Sequence, residues 1–257
     1  MTGPGSSRFS LHGRVAVVTG AGTGIGRGTA LVLAEHGADI VLAGRRPEPL
    51  EDTAKEIEKL GCRTLVAPTD VTDVAQCERL VRLTVGELGR LDILVNNAGG
   101  ASTKPLDDWT PEDWHRTLDV NVGSVWFLSR FASQPMLEQG KGAIVNISSG
   151  SAFFAFPAGA PYGASKAAVN NLTMSMAAAW TPKGVRVNAV ASGAVRTDML
   201  IEDSKKHGLD EAALAAGNAM GRIGDPDEIG YAVLFLASDA SSYCSGQTLW
   251  VNGGPKG

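Results

Sequence analysis

Short apolar runs alternate with longer helical stretches along almost the whole chain. Residues 15–18 (Val-Ala-Val-Val) are short, β-branched and uninterrupted, which predicts a strand buried on both faces. Similar runs at 40–43, 65–67, 93–95, 143–147, 185–190 and 249–251 predict six more strands. Between them, helical stretches are predicted over 25–36, 50–60, 74–88, 114–137, 162–180 and 229–237. Gly37, Gly61 and Gly89 stand where the first three helices should stop. Strict alternation of strand and helix predicts a doubly wound α/β fold, a seven-stranded parallel sheet with helices on both faces. No linker, repeat or low-complexity tract divides the chain, so residues 11–257 read as one domain behind a flexible tail over 1–10. The stretch 198–226 breaks the alternation, and its length and its charged, Gly- and Ala-rich composition fit either a lid or a surface excursion.

Composition narrows the function classes. The chain has 257 residues, enough to bury a sizeable core, with 44% hydrophobic and 19% charged residues. A net charge of −4 without a Lys/Arg stripe argues against a nucleic-acid partner. No apolar run reaches the length of a membrane span, and the small, polar start lacks the apolar region of a signal peptide. Cys62, Cys77 and Cys244 are scattered, as are the four histidines. Neither a metal site nor a disulfide framework is expected, and reduced thiols suit a cytoplasmic protein.

Two patterns carry chemistry. Strand 15–18 runs into Thr19-Gly20-Ala21-Gly22-Thr23-Gly24-Ile25-Gly26 and then a helix. Glycines there let the backbone approach a pyrophosphate, which would rest on the helix N-terminal amides. The second pattern is Tyr162 with Lys166, one helical turn apart and so on the same face. A cation about 4 Å from a phenol favours the phenolate by up to roughly 4 kcal/mol at an effective dielectric near 20. That would lower the phenol pKa by as much as about three units, which suits a general acid–base.

These patterns occur in order with others. Thr19-Gly20-x-x-x-Gly24-Ile25-Gly26, Asn96-Asn97-Ala98-Gly99, Ser149, Tyr162 and Lys166 stand at fitting separations. The chain resembles the short-chain dehydrogenase/reductase family, in its branch of about 250 residues, from about Leu11 to Gly254. The resemblance implies a Rossmann fold and hydride transfer between a nicotinamide cofactor and a carbonyl or secondary alcohol. It implies that Tyr162 exchanges the proton and that Ser149, thirteen residues earlier, polarises the carbonyl. Lys166 would lower the Tyr162 pKa and bond the nicotinamide ribose, while Asn121, in Asp119-Val120-Asn121-Val122, would hold a water leading to solvent. It also implies cofactor contacts from Gly20, Thr23, Gly24, Ile25 and Gly26, from Asp70 and Val71, from Asn97, Ala98 and Gly99, from Tyr162 and Lys166, and from Val195 and Thr197. Where the family usually has Pro-Gly after the sixth strand, this chain has Ser192-Gly193, which leaves that loop freer.

The residues themselves discriminate between cofactors. An acidic side chain at the end of the second strand would bind the adenosine ribose and reject a 2′-phosphate. Asp39 begins that strand, roughly 15 Å from the carboxyl edge at 3.3 Å per residue, so it is excluded. The edge carries Gly44, Arg45 and Arg46 instead, and a guanidinium suits a phosphate. NADP(H) is favoured, with Arg45 at the 2′-phosphate and NAD(H) as the alternative.

The predicted substrate wall is apolar at Phe153, Phe154, Phe156 and Pro157. An uncharged or apolar ketone, or a 3-oxoacyl thioester, fits it better than a small anionic sugar acid. A sugar or alcohol dehydrogenase using NAD(H), and a nucleotide-binding sensor without turnover, are the alternatives. Small and apolar residues on more than one face of helices 114–137 and 162–180 suggest packing on further copies, as in the family's homotetramers.

Overall fold

The computed structural model describes residues 8–206 and 208–254. Its seven strands are β1 (Val15–Thr19), β2 (Asp39–Gly44), β3 (Thr64–Pro68), β4 (Ile93–Asn96), β5 (Gly142–Ser149), β6 (Val185–Ser192) and β7 (Thr248–Val251). All pair in parallel, in the order β3-β2-β1-β4-β5-β6-β7. The order reverses between β1 and β4, and ligands of open α/β sheets bind at the carboxyl ends flanking such a reversal.

Burial on both faces explains the unbroken apolar strands. Val15 and Val17 pack with Leu128, Met136 and Val169, whereas Ala16 and Val18 pack with Leu33, Ile229 and Val233. The first layer holds α3 (Val74–Leu88), α5 (Ser124–Glu138) and α6 (Ala160–Trp180). The second holds α1 (Gly24–Glu35), α2 (Pro47–Glu58) and α9 (Pro226–Ala237). Gly89 ends α3 as expected, at φ 79°, and Asp73 caps its start by accepting from the Ala75 and Gln76 amides.

Three features depart from the sequence reading. The helix expected over 114–137 is two helices, α4 (Pro111–Leu118) and α5, joined by a π turn over Asp119–Gly123. The excursion at 198–226 contains α7 (Asp198–Lys206) and α8 (Glu211–Ala215). Of the tail expected to be flexible, residues 1–7 lie outside the described residues, but Arg8 accepts a bond from the Ala240 amide and Phe9 packs 6.5 Å from Phe235.

Candidate active site

The glycine turn sits between β1 and α1. Gly20 and Gly24 adopt φ of 66° and 52°, which side chains rarely tolerate, and a Cβ on Gly26 would strike the Gly20 carbonyl oxygen. Thr23 is the N-cap of α1 without a side-chain cap, and the first turn of α1 carries no acid. A glycine-lined helix start without a competing carboxylate has the donor chemistry that a pyrophosphate needs. A cleft of about 470 Å³ opens beside it, lined by Gly22, Thr23, Gly24, Arg196 and Thr197. A second cavity of about 320 Å³ lies at the opposite, amino-terminal edge of the sheet and holds none of the predicted residues.

The other expected cofactor residues come to the same edge. Thr197 crosses above the glycine turn, its Cγ2 2.9 Å from where a Gly24 Cβ would stand. Val195 is buried and bridges to Gly224. Val71 is buried, and Asp70 is held below the usual carboxylate range by bonds from the Thr72 amide and hydroxyl, with a smaller contribution from Arg45. Arg45 is exposed just beyond β2. Asp39 starts β2 and pairs with Arg63, away from that edge. Asn97 comes to this edge as well, and its Nδ2 donates to the Thr19 carbonyl (2.8 Å), inward to the glycine turn.

The proton-handling residues converge one strand further on. Ser149 ends β5, and Tyr162 and Lys166 occupy the first two turns of α6. Lys166 is 5% exposed, and its Nζ donates to the Ile147 carbonyl at 2.9 Å and stands 5.5 Å from the centre of the Tyr162 ring. Asn121 is fully buried; its Nδ2 donates to the carbonyls of Gly100 (2.9 Å) and Thr117 (3.0 Å), and its Oδ1 accepts from the Gly100 amide. A Cβ on Gly99 would lie 2.7 Å from Asn121 Oδ1 and 3.5 Å from Lys166 Nζ, so both polar groups meet beneath the β4 loop.

Nearly the whole chain matches known proteins along this frame. Residues 20–256 match a family model described as enoyl-(acyl carrier protein) reductase. A 3-oxoacyl-[acyl-carrier-protein] reductase from Thermotoga maritima is 36% identical, over 95% of this chain and 98% of the relative. The chain belongs to the short-chain dehydrogenase/reductase family. A gluconate 5-dehydrogenase from Burkholderia cenocepacia, solved with NADP and tartrate, superposes with a TM-score of 0.88 at 38% identity, covering 96% of each chain. A 7α-hydroxysteroid dehydrogenase solved with NADH and 7-oxo glycochenodeoxycholic acid gives 0.91 at 35%, again over 96% of each. Family members thus bind either cofactor, and this chain is an NAD(P)-binding oxidoreductase of the short-chain type.

Electrostatics in this short-chain dehydrogenase/reductase overturn one expectation. Burial pushes the Tyr162 phenol above its ordinary range, and the opposing effect is a hydrogen bond from Ser149, with none from Lys166. The ammonium is itself pushed down to about 8 by burial. Lys166 gives its hydrogen bond to the Ile147 carbonyl, and desolvation dominates at the phenol.

Two contributors escaped the sequence reading. Thr19 Oγ1 accepts from the amides of Asn97 (3.0 Å) and Ala98 (2.9 Å), fixing the β4 loop against β1. Its signal was a polar residue at the carboxyl end of an otherwise apolar strand. A buried chain of bonds also joins Asn96 to Asn146 and Ser129, and Asn146 to Thr173, tying β4 and β5 to α5 and α6 under the site. Among the described residues, no cluster of His, Cys, Asp or Glu could hold a metal, and no helix is long and apolar enough to cross a membrane.

Proposed function

We propose that the protein is an NADP(H)-dependent reductase of an uncharged or apolar carbonyl, with a 3-oxoacyl thioester or an apolar ketone as substrate. The convergence of Ser149, Tyr162, Lys166 and Asn121 at the carboxyl edge, next to the glycine turn, carries this reading. When bound, the dinucleotide supplies the hydride, and it is held by Gly20, Thr23, Gly24, Ile25, Gly26, Asp70, Val71, Asn97, Ala98, Gly99, Val195 and Thr197. Arg45 takes the adenosine 2′-phosphate; Gly44 and Arg45, where a ribose-binding acid would stand at the end of β2, support the choice.

Tyr162 gives its proton to the oxygen of the reduced carbonyl. A phenol held above its ordinary pKa is protonated at neutral pH, the state that reduction requires. Ser149 donates a hydrogen bond to the same oxygen. Lys166 steadies the cofactor ribose, and Asn121 Oδ1 stands where a water between Lys166 and solvent can bind. Phe153 and Phe154 are exposed beside Ser149, and the Phe153 ring lies 4.5 Å from that of Trp250. Such aromatic surface favours an apolar substrate over a polyol acid. The excursion at 198–226 acts as the lid, latched where Thr103 Oγ1 donates to Asp203 at 3.2 Å. Active protein is a homotetramer packed through α5 and α6.

The test is NADPH- and NADH-dependent turnover over ketones, 3-oxoacyl thioesters and sugars, with Tyr162→Phe as control. Faster NADPH oxidation with thioesters or ketones, lost in the Phe variant, is expected. Tight NADPH binding without Tyr162-dependent turnover would instead identify a nucleotide sensor.

A further inference from the structure

The hydroxyl that polarises the substrate in the proposed reaction is itself directed by a neighbour. Ser149 caps a single 3₁₀ turn, Gly150–Ala152. Its Oγ accepts from the Ser151 amide at 3.3 Å and from the Ser151 Oγ at 3.0 Å. A serine hydroxyl has two acceptor positions and one proton. Ser151 fills both acceptor positions, which leaves the Ser149 proton free to be donated.

The turn that holds Ser151 is seated on the catalytic helix. A Cβ on Gly163, next to Tyr162, would stand 3.0 Å from the Ser151 carbonyl oxygen. The Ser151 backbone is therefore pressed against the first turn of α6, and its side chain has a fixed place beside Ser149.

We propose that Ser151 is a positioning residue, which sets the Ser149 hydroxyl as a donor toward Tyr162 Oη and the substrate oxygen. The inference rests on the reading of the site given above. Without the Ser151 hydroxyl, Ser149 has a vacant acceptor position and can take a bond from the Tyr162 phenol. That reversed bond holds the very proton that Tyr162 must give up. It also removes a donor from the phenolate, so Tyr162 becomes harder to ionise. The charged group against the Tyr162 ring among the described residues is Lys166, on the same helix; Ser149, which reaches it from β5, and Ser151 behind Ser149 are neutral.

Ser151→Ala, Ser151→Thr and wild type are compared in two measurements. The first is steady-state kinetics against pH with the best carbonyl or alcohol substrate. The second is ultraviolet titration of the Tyr162 phenolate, taken as a difference from Tyr162→Phe, which needs no substrate. For Ser151→Ala, kcat should fall about three- to tenfold with KM nearly unchanged, the size of one hydrogen bond. The Tyr162 titration should move up by about half to one pH unit, and Ser151→Thr should restore both. An unmoved titration in Ser151→Ala, or a loss that threonine does not rescue, overturns the proposal. If Ser151→Ala does not fold, Ser151→Gly, which keeps the amide donor, is read in the same way. A shifted titration in a protein that turns over no carbonyl sinks the reductase reading and leaves the positioning role standing.

Discussion

Lys166 is anchored to the carbonyl oxygen of Ile147, 2.9 Å from its Nζ, and not to the tyrosine that shares its helix face. The strand end thus holds the cation in place, with the Tyr162 ring beside it. A buried ammonium with one carbonyl partner is costly, and its pKa of about 8 expresses that cost.

Lys166→Met should therefore abolish turnover yet stabilise the fold at pH 7. A folded-state pKa depressed from 10.5 to about 8 corresponds to roughly 3 kcal/mol of lost stability below pH 8. Loss of the bond to Ile147 offsets about 1–2 kcal/mol of the gain. The sign follows from proton counts. Between pH 8 and 10.5 the unfolded chain binds more protons at this site, so wild-type stability recovers as pH rises. Denaturant melts of both proteins at several pH values should show the advantage of the variant shrinking across that window. A gap that widened with pH would refute the assignment.

Asn121 should be structural and functional at once. Its amide takes the Thr117 carbonyl that an ordinary α-helical turn would use, while the Ser124 amide reaches back five residues to Asp119. The π turn aims the side chain across to Gly100. Asn121→Ala removes three hydrogen bonds to half-buried backbone groups, at Gly100 and Thr117, and should cost about 1–3 kcal/mol. Hydrogen exchange should quicken over 117–123 and at Gly100, and kcat should fall at least about tenfold. Normal activity with faster exchange would confine Asn121 to the fold.

The sheet was legible in the sequence because each strand is buried on both faces, so Val15–Thr19 and its parallels read as apolar runs. Tyr162, Lys166 and the glycine turn were legible because their spacing follows from helix pitch and from close backbone approach. The π turn was hidden, since 114–137 has continuous helical character and one extra residue in a turn leaves little trace in periodicity. The partner of Asn97 was hidden too: its type fits a cofactor wall, but only the structure shows its side-chain amide facing Thr19. The Tyr162 shift was not legible, because an i, i+4 spacing fixes a shared face but not the direction of a lysine chain.

Arg45 should decide between cofactors. Exposed and next to Asp70, it can swing to a phosphate at little conformational cost. Arg45→Ala should weaken NADPH about ten- to hundredfold while leaving NADH nearly unchanged. Direct titration of both nucleotides by fluorescence gives the answer. Equal losses for both would remove the 2′-phosphate role.

Arg196 should govern the lid through its base. Its guanidinium bonds both carboxylate oxygens of Glu211 and reaches Asp225, while its amide bonds the Gly224 carbonyl at 2.8 Å. The two ends of the 198–226 excursion are thus clamped by one residue. These pairs are exposed, so Tm should barely move in Arg196→Ala. The effect should instead be local, because a segment bearing few buried groups opens at low cost once its clamp is cut. Limited proteolysis within 208–221 should quicken, and KM should rise about two- to fivefold while kcat changes little. Added salt should raise the wild-type KM toward that of the variant, because exposed ion pairs are screened. A salt-independent KM in wild type, or cleavage rates equal in the two proteins, would show that the backbone bridge from Val195 to Gly224 holds the lid without the ion pairs.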